Sequence, residues 1–393
     1  MRGGNCEQRL VVNFAFGEEQ LLLRATTRRF LDEQHALARV RAALEADETF
    51  NADIWREGAK LGWTAMLVPP ELDGGSVTDQ PLVDLVGIAE ELGRVLSPGP
   101  FVPTNIVADA ITTYGSDAQR KELPGIASGD QVAAWCLTED GSADLSAVGV
   151  EATRTTSGFR LDGLASSVHG ATIPGLLLVT ARLADGGGIA HFLVRQPAVG
   201  ISSRLLVGLD LTRRLAEVRF DGTTVSGDSL LGRPDQSVDL TEQGLAIATV
   251  LQAAEGVGAS DHLVDATVQY AKDRMQFGRP IGSFQAIKHR LADLHITLEG
   301  MRAATYYAAL AVDDKFDDAT EAVTVAGSYV SDAFAYICGE ALQLHGGIGF
   351  TWEHDIHLFV RRAKVNQVMY GDGSWHRERL CRVLEQDTPV EVP

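Results

Sequence analysis

The chain has 393 residues, 45% of them hydrophobic, and a formal charge of −19 at pH 7. That length supplies a large buried core and suggests two or three domains. The charge excludes nonspecific attraction to DNA, RNA or anionic lipid, which rests on phosphate neutralisation by Lys and Arg. An anionic ligand would have to be held by local basic groups and backbone N–H donors.

The opening MRGGNCEQRLVVNFAF has one early Arg and a short mixed run containing Glu7 and Asn13, and reads as neither signal nor transit peptide. No apolar run reaches membrane-spanning length, so a cytoplasmic location is expected. Residues 18–44 form an amphipathic helical pattern, 81–96 begin on Pro81 and keep helical period, and 117–129 close a helical region. Between the first two lies a turn-rich connection built on Pro69, Pro70, Gly74 and Gly75. After Asp130 the pattern changes to short β-prone runs, QVAAWCLTE, GFRLDGLASSV, GLLLVTARL, IAHFLVRQ and AEVRFDGTTV, separated by Gly and Asp turns.

From Leu245 a long helix runs to the connection R-x-x-F-G-x-P-I-x-x-F-Q, where Gly278 and Pro280 break the period. Phe284, Ile287, Leu291, Leu294, Leu298 and Met301 then recur at intervals of three and four, a narrow apolar seam. Val323, Val330, Phe334, Ile337, Ala341 and Leu344 repeat it on the next helix, which LHGGIGF ends. A fourth amphipathic helix is expected from about Asp355 to Leu384, completing an antiparallel bundle. The fold class is therefore α+β and mostly α. An N-terminal helical domain covers residues 1–129, a small central β-barrel or sandwich domain 130–235, and a C-terminal four-helix bundle 236–393.

Cys6, Cys136, Cys338 and Cys381 stand far apart with no C-x-x-C pair. This fits a reducing compartment, argues against a disulfide framework or a zinc site, and leaves them as buried small apolar residues. His354 and His357 are three apart, with Glu353 alongside, but no further ligand pattern accompanies them, so a solvated helix start is preferred to a metal site. The sequence lacks a G-x-G-x-x-G after a strand, a G-x-S-x-G elbow and a G-K-[ST].

Taken together, L-G-W…V-P-P-E-L-D-G-G, W-C-L-T-E-D-G-S, R-M-Q-F-G-R-P-I-G-S-F-Q and Q-L-H-G-G-I-G-F resemble the flavin-dependent acyl-CoA dehydrogenase family over almost the whole chain. Alone, an Arg after a helix is ordinarily a surface residue and a Gly-Gly at a helix end an ordinary cap. The order of the four motifs carries the resemblance.

The family implies FAD as cofactor, an acyl-CoA substrate oxidised to the 2-enoyl-CoA, and an electron-transfer flavoprotein as acceptor. By the same resemblance, Arg274 meets the cofactor pyrophosphate, usually that of a neighbouring subunit, with Gln276 and Phe277 beside it. Phe284 and Gln285 follow, and Gln343, Gly346 and Gly347 approach the adenine half. Leu137, Thr138, Gly141 and Ser142 match the flavin-lining strand and loop, whose T-E-D-G-S-A-D is one residue shorter than the family pattern. Ser167, Val168 and His169 stand where the family has Trp-Ile-Thr, so the aromatic wall is missing, and His169 reads as a polar residue at a strand end. Arg361 matches a structural Arg.

Tyr370 occupies the usual position of the catalytic Glu, and its alternative location carries Ala248. Tyr is a poor substitute, since its reference pKa lies near about 10. Asp372 and Glu255 are weak candidates for the base, and His376 lies a turn further on. The family reading is an acyl-CoA dehydrogenase, homo-oligomeric or hetero-oligomeric. Its alternative is a non-catalytic or half-site subunit completing the FAD site of a Glu-bearing partner. A flavin monooxygenase and a DNA-associated relative are more distant readings, the latter opposed by the charge.

Overall fold

The computed structural model describes residues 16–34, 36–46, 50–173 and 175–387. Its helices before the sheet are α1 (Glu18–Glu33), α2 (Ala36–Ala46), α3 (Ala52–Lys60), α4 (Pro81–Arg94), α5 (Phe101–Tyr114), α6 (Asp117–Arg120) and α7 (Leu123–Ala127). The amphipathic stretch expected as one helix over 18–44 is thus two, α1 and α2. In α4 every residue from Leu82 to Gly93 is buried, Glu90 and Glu91 included. Those two carboxylates are tolerated because arginines surround them, Arg24 at 2.7 Å from Glu90 and Arg24 and Arg28 at 2.8 Å from Glu91.

The strands are β1 (Val132–Cys136), β2 (Val150–Thr155), β3 (Gly158–His169), β4 (Gly175–Leu183), β5 (Ile189–Gln196), β6 (Ile201–Leu205), β7 (Leu215–Ser226) and β8 (Leu230–Leu231). They form one sheet in the order β6-β7-β3-β2-β4-β5-β8, with β1 parallel to β4. The near-continuous apolar runs of β1 and β4 follow from burial on both faces. Ala134, Cys136, Leu177 and Val179 enter the sheet's own core with Phe159 and Phe192, whereas Trp135, Leu137, Leu176 and Leu178 join the core beneath the helices.

The bundle consists of α8 (Ser237–Asp273), α9 (Gln285–Asp313), α10 (Ala319–His345), α11 (Ile356–Asn366) and α12 (Gly373–Asp387), and a short hairpin, β9 (Met275–Gln276) with β10 (Arg279–Pro280), joins the first two. Leu294, Leu298 and Met301 of the α9 seam pack with Val330, Phe334 and Ile337 of α10, as their spacing predicts. The fourth helix expected over 355–384 is interrupted. Tyr370 and Gly371 take φ of 58° and 106°, so the chain turns through the left-handed region between α11 and α12. Of the cysteines, Cys136 and Cys338 are buried, but Cys381 on α12 is exposed, contrary to expectation; Cys6 lies outside the described residues. Among the described residues no helix is long and apolar enough to cross a membrane.

Two glycines set how closely α4 approaches α8. A Cβ on Gly93 would lie 2.1 Å from the Glu255 carbonyl oxygen, and one on Gly258 would lie 1.7 Å from that of Glu90. Backbone meets backbone, so neither helix can yield by a rotamer change. Gly258→Ala is therefore expected to destabilise the chain by roughly 1–3 kcal/mol or more through overpacking, read from the midpoint of urea denaturation.

Near the start of α4, burial pushes the carboxyls of Asp109 and Asp313 up to about 7, although Gln243 Nε2 donates to Asp109 at 2.7 Å and the Val83 N–H to Asp313 at 2.9 Å. A folded-state value above the unfolded value of about 3.9 means the folded chain holds extra protons between these limits, so stability falls as pH rises through that window. Urea midpoints are expected to drop between pH 5 and pH 8, and Asp109→Asn should shrink the drop.

Candidate functional site

The sheet meets the bundle through a buried cluster of four charges. Asp210 and Arg213 come from the loop between β6 and β7, Glu255 from the middle of α8 and Arg362 from α11. Their side chains are at most 7% exposed. Arg213 Nη2 donates to Glu255 Oε2 at 2.6 Å, Arg362 Nε pairs with Asp210, and Arg362 Nη1 lies 3.8 Å from Glu255 Oε1. Arg213 Nη1 also donates to Asn366 Oδ1 at 2.8 Å, and Arg362 Nη2 to Thr212 Oγ1 at 2.6 Å. Two cations and two anions balance, which is how charges persist inside a core. Burial raises Asp210, but Arg362 and Arg213 outweigh it and hold the carboxyl below its usual range.

His169, at the end of β3, is buried beside this cluster. Desolvation, with Arg213 and Arg362 nearby, pushes its imidazole well below the ordinary value, so the ring is neutral. Ser167 just before it takes a φ of 55° where the β3–β7 register shifts between Ala165 and Val168. A Cβ on Gly141 would come within 2.6 Å of Ser167 Oγ, so the loop carrying Thr138, Gly141 and Ser142 needs its glycine to lie on this bulge. Thr138 Oγ1 donates to the Ser142 carbonyl at 2.6 Å, and Leu137 and Thr138 are buried.

Tyr370 stacks on Trp135 with centroids 6.5 Å apart and planes inclined by 19°. Burial pushes its phenol up to about 12. Neither candidate carboxylate stands free: Glu255 belongs to the charge cluster, and Asp372 is exposed and accepts from the Trp375 N–H at 2.7 Å as the cap of α12. Ala248 is fully buried, and His376 of α12 is buried against Gly327 of α10. A cavity of about 530 Å³ opens beside the cluster, lined by Arg41, Leu205, Asp210, Arg213, Trp352 and His357 among others. Its size is that of small-molecule sites.

The remaining predicted residues gather far from this cluster. Arg274, Gln276 and Phe277 form the exposed β9–β10 hairpin, with Phe277 91% exposed at a φ of 53°. Phe277 meets Phe284 edge to face at 6.1 Å, the Arg279 guanidinium lies 4.1 Å over Phe284, and Gln285 starts α9. The end of α10 sits alongside: Tyr270 stacks on His345 at 4.4 Å and donates to its carbonyl, which places Gln343, Gly346 and Gly347 on the same exposed surface. Gly346 adopts φ 62° and ψ −144°, a conformation essentially restricted to glycine, and a Cβ on it or on Gly347 would meet nothing within 4 Å. Among the described residues Arg274 has no ion-pair partner, an open cation beside an open glycine backbone. That donor set suits a diphosphate.

His354 lies 4.9 Å from His345, and His357 stacks on Trp352 at 4.5 Å. Among the described residues no three His, Cys, Asp or Glu side chains converge on a metal position. Arg361 was singled out from sequence; it donates to the Leu209 carbonyl at 3.3 Å and lies 5.9 Å over the Trp352 ring, and the buried arginine is its neighbour Arg362. Asp210, Arg213 and Arg362 were not anticipated. The doubled arginines of DLTRR and VRRAK were their one local signal.

Breaking a buried charge pair by removing one partner strands the other. Arg213→Met is expected to cost about 3–5 kcal/mol, and Arg213→Met with Glu255→Met to recover part of that, measured by urea denaturation of both variants.

The acyl-CoA dehydrogenase N-terminal domain profile matches residues 17–130, and the C-terminal domain profile matches residues 238–385. The chain is 32% identical over 369 residues to "Acyl-CoA dehydrogenase IpdE2" of Mycolicibacterium smegmatis, covering 93% of this chain and 98% of that protein. Among solved structures it resembles a variant of the Tcur3481-Tcur3483 steroid ACAD, with 30% identity, a TM-score of 0.84 and coverage of 94% and 99%. It also resembles the ChsE4-ChsE5 complex from Mycobacterium tuberculosis, at 25% identity, a TM-score of 0.85 and coverage of 96% and 100%.

Proposed function

The chain belongs to the acyl-CoA dehydrogenase family, and we propose that it takes part in the α,β-dehydrogenation of an acyl-CoA thioester to the 2-enoyl-CoA as a subunit of an oligomer. Proteins of this family carry FAD, which when bound supplies the acceptor for the hydride leaving the β carbon. Arg274, Gln276, Gly346 and Gly347 would hold its diphosphate and adenosine portions. Thr138, Gly141, Ser142 and His169 would bound the ring.

One observation carries the oligomeric reading. Arg274 lies nineteen residues beyond Glu255 on the continuous α8 and its end, about 28 Å along the axis at 1.5 Å per residue. A separation of that order supports the reading in which the exposed hairpin serves a neighbour's cofactor. The likeness to ChsE4-ChsE5 supports a related subunit as that neighbour. The likeness to the steroid ACAD supports a steroid-derived acyl group. An electron-transfer flavoprotein would take up the electrons.

A second reading rests on the proton acceptor. Tyr370, with its phenol pushed up to about 12, keeps its proton at neutral pH, while Glu255 is paired and Asp372 caps a helix. In that reading the chain is the half-site subunit, lending its hairpin to a partner whose own carboxylate removes the α proton.

Arg274→Ala is expected to lower the flavin-to-polypeptide ratio at least several-fold while leaving the urea midpoint unchanged; normal flavin content would overturn the role of the hairpin. The chain purified alone and together with a Glu-bearing subunit is then mixed anaerobically with a steroid acyl-CoA. Flavin bleaching by the single chain favours the first reading, and bleaching only in the mixture favours the second.

A further inference from the structure

Between α8, α10, α11 and α12, directly behind the Tyr370 turn, lies a small chamber of about 20 Å³. Most of its wall is apolar, from Ala253, Val330 and Phe334, but four polar atoms of that wall have no partner: Gln252 Oε1, Ser331 Oγ, Asn366 Nδ2 and His376 Nδ1. Asn366 and His376 are each 3% exposed. Leaving one such group without a hydrogen bond is costly, and these four, from four helices, line one chamber.

We propose that this chamber is a binding site for one water molecule, which bridges Asn366, Gln252, Ser331 and His376. The volume exceeds the roughly 10–15 Å³ that a single water requires, and two to four polar partners is the number such waters use. The donor and acceptor pattern closes. The Asn366 oxygen already accepts from Arg213 at 2.8 Å, which leaves its amide N–H₂ to donate. The Gln252 amide nitrogen already donates to the Asn366 carbonyl at 2.7 Å and the Met369 carbonyl at 3.2 Å, which leaves its oxygen to accept. Burial pushes His376 down to about 4, so the ring is neutral and one nitrogen is free to accept. The water accepts from Asn366, donates to Gln252 and to His376 Nδ1, and meets the Ser331 hydroxyl, which rotates to suit.

The placement gives the water a task. Gln252 holds the two carbonyls that frame the Tyr370 turn, and Asn366 holds Arg213 of the charge cluster. Through the water these are joined to His376, a buried residue in the first turn of α12. His376 is thus a positioning residue for the break between α11 and α12.

The test uses the natural full-length chain, with Ser331→Val and His376→Phe as fillings of the chamber. Oxygen-17 relaxation dispersion of the solvent should count one more long-lived internal water in the natural chain than in each variant, and a crystal structure should place a single density peak within hydrogen-bond distance of Asn366 Nδ2 and His376 Nδ1. In ring-nitrogen NMR, His376 should remain neutral from pH 5 to pH 8 with Nδ1 unprotonated. An empty chamber in the crystal, density too large for water, or an unchanged water count in folded variants overturns the proposal. Should both variants fail to fold, the crystal of the natural chain decides alone.

Discussion

The most directional contact between the sheet and the bundle is the pair of buried ion pairs among Asp210, Arg213, Glu255 and Arg362. Hydrophobic contact is non-directional and would let the sheet settle on the helices at several angles. A charge cluster with 2.6 Å donors accepts one arrangement, because any slip leaves a charge without its counterion. His169, the Tyr370 turn and the polar chamber take their positions from it, since Arg213 reaches Asn366 and Asn366 in turn opens on the chamber.

Both candidate carboxylates already have structural partners, Glu255 within the cluster and Asp372 at the start of α12. A carboxylate two turns along α8 from the expected position looks serviceable on a helical wheel. In three dimensions Glu255 faces Arg213 and Arg362 and is needed there. Asp372 is held by the demand of α12 for a cap. Both groups have local structural partners, and the proposed half-site reading rests on that.

Much of the helical architecture was legible because it depends on local period. The seam from Phe284 to Met301 and the stripe from Val323 to Leu344 repeat at helical intervals, and Pro81 marks the start of α4. Helix α5 was not singled out, since FVPTNIVADAITTY is apolar nearly all round and offers no contrast between faces. The break at Tyr370 was hidden for a different reason: a tyrosine at positive φ is paid for by tertiary contacts with Trp135 and by Gln252, neither of them close in sequence. The hairpin residues stand out in the sequence because their motif is contiguous. The charge cluster was missed because the partners of its two ion pairs are 42 and 152 residues apart.

Helix α8 acts as a lever. It runs for 37 residues, about 55 Å, and is clamped near its middle where Gly258 meets α4 backbone to backbone. Beyond that fulcrum about 24 Å of helix carries the exposed hairpin. A tilt of roughly 5° at the clamp would swing the tip by about 2 Å, a distance comparable to the difference between a made and a broken hydrogen bond. The glycine contact therefore sets, from the interior of one subunit, the reach of an arm that the proposed oligomer would use in the next.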